Sequence, residues 1–120
     1  MIKVKSLTKN YNDVKAVKSI DFTINHGEVV GFLGANGAGK STTLKILTGY
    51  LTPTSGQVSI DGLDIDNDSH QIKKIIGYLP ESNPLYIDMF VYDLLKFTAN
   101  TRGIFGVDFK NALDNVVQQC

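Results

Sequence analysis

Gly34-Ala35-Asn36-Gly37-Ala38-Gly39-Lys40-Ser41 matches the phosphate-binding loop pattern G-x-x-x-x-G-K-[ST] at every fixed position. The spacing has a physical reason. Glycines at 34, 37 and 39 carry no Cβ, so the chain curls tightly and aims backbone N–H groups at one point. The helix expected from about Gly39 adds the positive end of its dipole. Lys40 supplies a point charge for the β- and γ-phosphates of a nucleotide, and Ser41 supplies a hydroxyl for Mg²⁺. Thr42 carries the run into the helix.

The flanks fit the loop. Val29-Val30-Gly31-Phe32-Leu33 is a short apolar run and reads as a buried strand. Ser41–Thr48 reads as a helix, with Gly49 as its stop. Strand, glycine-rich loop and helix form the context that the motif requires.

Upstream, Ile2-Lys3-Val4-Lys5 alternates apolar and charged residues, and Ile20, Phe22 and Ile24 alternate within the β-rich run Ala16–Ile24. Asn12-Asp13 and Asn25-His26-Gly27 mark turns. Downstream, Thr52–Gly56 is a turn cluster, Gln57–Ile60 a short strand, and His70–Lys74 a short helix. Ile75–Leu79 reads as another buried strand, stopped by Pro80. The character changes after Pro84. Val91–Arg102 has helical spacing and Gly103 as a stop. A second amphipathic helix is expected from an N-cap at Asp108, with Phe109, Ala112, Leu113, Val116 and Val117 on one stripe.

Composition bounds the rest. Twelve Lys and Arg balance twelve Asp and Glu, so no broad electrostatic pull toward nucleic acid is expected. No apolar stretch approaches the roughly 18 residues that span a bilayer, which points to the cytosol. Cys120 is the single cysteine, which excludes an internal disulfide. His26 and His70 stand alone in polar surroundings and read as solvated side chains.

Taken together, these stretches resemble the N-terminal half of the ATPase of an ATP-binding-cassette (ABC) transporter. The likeness covers nearly the whole chain. It rests on Ser6-Leu7-Thr8-Lys9-Asn10-Tyr11, the run Gly27–Gly34 into the loop, Leu51–Val58, and Ile76-Gly77-Tyr78-Leu79-Pro80-Glu81. The last form is most similar to bacterial exporters of the drug-resistance, ABC-2 and gliding-motility type.

The resemblance implies an α/β fold: a P-loop NTPase core with an antiparallel β subdomain in residues 1–90, and the start of a helical subdomain in 91–120. It implies ATP and Mg²⁺ as ligands, held by residues 34–42. Lys40 is the catalytic residue of the set, Tyr11 stacks on adenine, and Ser41 and Glu81 face the metal. By residue chemistry alone, Tyr11 reads equally as an aromatic packed over a small core with its hydroxyl in water. Glu81 stands where the family usually has Gln; a carboxylate is a hard ligand for Mg²⁺, and it reads also as a solvated loop acid.

The implied activity is an ATPase that energises transport. Two such subunits would sandwich two ATP molecules and act on membrane permease subunits at the inner face of the membrane. The family's Asp-Glu-bearing Walker B strand and its Leu-Ser-Gly-Gly-Gln signature do not occur in the sequence. The chain is therefore expected to be truncated, to lack hydrolysis by itself and to expose an unpaired sheet edge. A nucleotide-binding module without hydrolysis, and a cassette ATPase of translation or DNA repair, are the competing functions.

Overall fold

Alternation at the N-terminus translates directly into strand pairing. The computed structural model describes residues 1–82 and 85–120, so Pro84, where the sequence changes character, lies outside the described residues. The first strand, β1 (Ile2–Tyr11), pairs antiparallel with β2 (Val14–Ile24) through the two-residue turn Asn12-Asp13. On its other side β1 pairs antiparallel with β3 (Ser55–Ile60), which turns through Asp61-Gly62 into the short β4 (Leu63–Asp64). The sheet order is β2-β1-β3-β4. Cross-strand partners Ile2–Ile60, Val4–Val58 and Val4–Phe22 place apolar residues opposite one another.

The β1–β3 register slips between Lys5 and Thr8. Gly56 faces that slip with φ +100°, and a Cβ there would lie 2.5 Å from the Ser6 carbonyl oxygen. Only glycine fits this contact.

Helix α1 (Lys40–Leu47) follows the glycine-rich loop. Its end is closed by Gly49 N–H to the Ile46 carbonyl (2.9 Å) and Tyr50 N–H to the Lys45 carbonyl (2.9 Å), the paired bonds of a Schellman stop. Helix α2 (Ser69–Ile75) comes next. The core joins Val4, Leu7, Val17, Val58 and Ile60 of the sheet to Ile46 and Leu47 of α1 and to Ile65 and Ile72 around α2. These elements belong to one compact unit, residues 1–78.

Two expected strands are not formed. Val29–Leu33 and Ile76–Leu79 form no strand and pair with none among the described residues, and Ile75 ends α2 instead of opening a strand. Val29 and Leu33 are almost fully exposed, and Leu79 is 80% exposed. The cause is the ladder itself. An apolar run becomes a strand only when a neighbour accepts and donates its backbone hydrogen bonds, and the antiparallel sheet supplies none here.

The second unit, residues 79–120, holds α3 (Val91–Thr101) and α4 (Gly106–Gln119). Gly103 N–H to Asn100 (3.1 Å) and Ile104 N–H to Ala99 (3.0 Å) close α3 with a second Schellman stop. The rings of Tyr92 and Phe109 meet edge to face at 5.8 Å, and Phe109 is buried. Helix α4 starts at Gly106, two residues before the expected cap at Asp108. Asp108 instead occupies the first turn, where its charge complements the helix dipole. No helix among the described residues is long and apolar enough to cross a membrane.

Candidate functional site

Residues 34–39 bridge the unpaired run 29–33 and the first turn of α1. Asn36-Gly37 forms the bend, and Ala38 N–H donates to the Ala35 carbonyl at 3.1 Å. Gly39 precedes the helix in the left-handed region, with φ +86°. A Cβ on Gly39 would lie 2.2 Å from the Ala16 carbonyl oxygen of β2. The third glycine of the motif is therefore where the loop is pressed onto the sheet. Gly37, at φ +81°, has open space where its Cβ would be. Glycine there answers to backbone conformation alone.

Lys40 folds back over the loop. Its ammonium donates to the carbonyls of Gly34 (2.6 Å) and Ala35 (2.7 Å). The side chain is half-buried, and the loop from Gly34 to Ala38 is exposed. The cation is thus held beside the exposed loop by weak neutral acceptors, which an anion would outcompete through charge-assisted bonds. The N–H groups of Lys40, Ser41 and Thr42 open α1 and have no acceptor one turn back. Ser41 is exposed and Thr42 half-buried. A cation, a hydroxyl and several free amides facing one exposed loop form a donor set that fits a polyphosphate.

Thr43 escaped the reading of the sequence. It is 1% exposed, and its hydroxyl donates to the Gly39 carbonyl at 2.9 Å while its N–H donates to the same oxygen at 2.8 Å. It pins the loop's end to the helix. A cavity of about 420 Å³ opens beside the loop, lined by Ala16, Val17, Phe32, Gly37, Ala38 and Lys40 among others. Ala16 and Val17 were read only as part of a β-rich run. Nothing local marks them as loop neighbours, because the contact spans more than twenty residues of chain.

Tyr11 stands at the end of β1, at the hairpin, 45% exposed and apart from the residues lining that cavity. The Lys9 ammonium lies over its ring, 5.4 Å from the centroid. Glu81 is exposed and belongs to the second unit. Next to the unpaired run, Glu28 accepts from Asn25 N–H (2.7 Å) and from the Asn25 amide (3.0 Å). These bonds hold its carboxyl below the usual carboxylate range. His26 contacts the Asp61 carboxylate at 3.0 Å and His70 lies exposed in α2; no cluster of three or more His, Cys, Asp or Glu suited to a metal occurs among the described residues.

Comparison with known proteins follows the same loop. The family model described as ABC transporter matches residues 17–119. The probable multidrug ABC transporter ATP-binding protein YbhF of Escherichia coli is 39% identical over 106 residues, 88% of this chain and 18% of that protein. The bacitracin transport ATP-binding protein BcrA of Bacillus licheniformis is 36% identical over 118 residues, 98% of this chain and 38% of that protein. Among solved structures, an ATP-binding subunit of an ABC transporter superposes with a TM-score of 0.84 at 28% identity, covering 98% of this chain and 49% of that one. A bacterial ABC transporter cassette solved as a dimer gives a TM-score of 0.80 at 30% identity, over 95% and 55% of the two chains. The chain thus spans about half or less of the proteins it matches.

Proposed function

The chain belongs to the ABC transporter family, and from that premise we propose that it is the nucleotide-binding part of an exporter ATPase, binding Mg²⁺–ATP at Gly34–Thr42. The observation that carries the reading is Lys40, whose ammonium is held over the carbonyls of Gly34 and Ala35 beside the free amides of α1. In this reading Lys40 leaves those carbonyls for the β- and γ-phosphates. The N–H groups of Lys40, Ser41 and Thr42 donate to the remaining phosphate oxygens, Ser41 holds the metal, and Tyr11 stacks on adenine. Residues 1–90 act as the P-loop core with its β subdomain, and 91–120 as the beginning of a helical subdomain.

Bound Mg²⁺ would supply charge neutralisation for the polyphosphate, and Ser41 would hold it. Water positioning needs a further group, and no apolar run ending in Asp-Glu follows the loop in this sequence. The 120 residues alone therefore bind nucleotide without turnover. In the whole protein the partners are a second ATPase subunit and membrane permease subunits on the inner face of the membrane. Export is favoured over import because the Gly77-Tyr78-Leu79-Pro80-Glu81 form resembles exporters, and because the relatives above are named for multidrug and bacitracin transport.

Calorimetric titration with Mg²⁺–ATP tests the site. Lys40→Ala removes a charge-assisted donor and should weaken binding about 10- to 100-fold. Wild-type affinity in that variant would refute the phosphate site. Phosphate release by the 120-residue chain that disappears in Lys40→Ala would refute the statement that hydrolysis needs further residues.

A further inference from the structure

Lys9 and Tyr11 are two residues apart on β1, so their side chains leave the same face of the strand. The Lys9 ammonium donates to the Thr52 carbonyl at 2.7 Å and lies over the Tyr11 ring, 5.4 Å from its centroid. The turn that carries this carbonyl is anchored two residues on, at Thr54. Thr54 N–H donates to the Thr8 carbonyl at 2.9 Å, and Asn10 N–H donates to the Thr54 hydroxyl at 3.0 Å. The turn after α1 is thus strapped to the end of β1, and it holds the cation in place. An aromatic ring has two faces. The cation takes one of them, and Tyr11 keeps 45% of its surface exposed.

We propose that Lys9 is a positioning residue that makes Tyr11 a one-sided stacking platform for a purine base. The inference rests on the reading of Tyr11 as the adenine contact and deepens it. Two effects follow from the geometry. The ammonium restricts the ring to one orientation, so less freedom is lost when a base stacks. It also draws π density toward itself, which favours an electron-rich purine on the opposite face over a smaller pyrimidine. Lys9 makes no phosphate contact in this scheme. Its effect should appear with the base and vanish without it.

The test titrates the full chain, with Mg²⁺ present, against ATP, CTP and inorganic tripolyphosphate. Lys9→Met should weaken ATP binding about three- to fivefold, weaken CTP binding less, and leave tripolyphosphate unchanged. Lys9→Gln, which keeps an N–H donor but carries no charge, should behave as Lys9→Met, whereas Lys9→Arg should restore ATP affinity. Unchanged tripolyphosphate binding also reports that the variants fold. Equal losses for ATP and tripolyphosphate would overturn the proposal, because they mean a general charge or folding effect. If Tyr11→Ala loses ATP affinity while Lys9→Met does not, Lys9 has no such role and the adenine reading stands. If Tyr11→Ala binds ATP as the wild type does, both fall.

Discussion

Residues 20–24 and 29–33 carry similar strand signals and meet opposite fates. Ile20, Phe22 and Ile24 alternate, sit in β2 and are half-buried against β1. Val29, Val30, Phe32 and Leu33 are at least as apolar, yet they are exposed and unpaired among the described residues. The difference is not propensity. β2 is joined to its partner by a two-residue turn, so its ladder closes at small entropic cost. The run 29–33 precedes the glycine-rich loop of a P-loop motif, where a parallel neighbour arrives only through a long crossover. Burial in such a run depends on distant chain, and hydrophobicity alone does not provide it.

The sharpest test of this contrast is the point where the loop touches the paired sheet. Gly39→Ala places a methyl 2.2 Å from the Ala16 carbonyl oxygen at φ +86°. The backbone must move, and the strain should destabilise the 1–78 unit by about 3 kcal/mol. Gly37→Ala meets no atom within 4 Å and bears only the conformational cost at φ +81°, about 1 kcal/mol. Urea unfolding of the two variants separates them. Equal midpoints would mean that the loop is not seated on β2.

Next in size is a pair of truncations. Ile46→Ala empties a fully buried site between α1 and the sheet and should cost about 2–4 kcal/mol. Val29→Ala, at a fully exposed position, should change stability by less than about 0.5 kcal/mol. A large loss at Val29 would show that the run is packed in solution and would break the comparison.

Amide exchange reads the same contrast without mutation. The N–H groups of Lys3 and Ser59 face each other in the β1–β3 ladder and should exchange slowly. Those of residues 29–33, with no backbone acceptor among the described residues, should exchange at nearly the rate of an unfolded chain. Protection in 29–33 comparable to that of β1 would reveal a neighbour strand.

Much of the local structure was legible because its causes are local. Gly49 and Gly103 end helices by bonds that reach back only to Lys45, Ile46, Ala99 and Asn100. The hairpin at Asn12-Asp13 follows from turn residues between β-rich runs, whereas no strand is expected at Leu63–Asp64, whose two residues are too few to show a period. The loop motif was legible because phosphate chemistry fixes its spacing. What escaped was set at long range. Thr43 reads as an ordinary helical residue until the Gly39 carbonyl is found above it. Ala16 has no signal at all, since its role is only to be where Gly39 arrives. The start of α4 at Gly106 was misplaced because Asp108 serves the helix dipole as well from the first turn as from a cap.

The smallest expected effect lies at the border of the two compared regions, in the turn joining β2 to the run 29–33. Both Glu28 oxygens accept from Asn25, and these bonds lower its carboxyl from an ordinary value of 4.5. A carboxyl lowered in the folded state adds stability above its unfolded value and loses it as pH falls through the folded value. The Glu28 contribution should therefore be complete at pH 6, begin to decline near pH 4.5 and vanish at lower pH. The group is fully exposed, so water screens the effect and the shift in melting temperature will be slight. Glu28→Gln keeps one acceptor but cannot ionise. The difference in melting temperature between the wild type and this variant should be largest at pH 6 and shrink toward pH 3. A difference that grows on acidification would mean that the protonated form of Glu28 is the one the turn prefers. That turn would then be built differently from the Asn25–Glu28 hydrogen bonds described above.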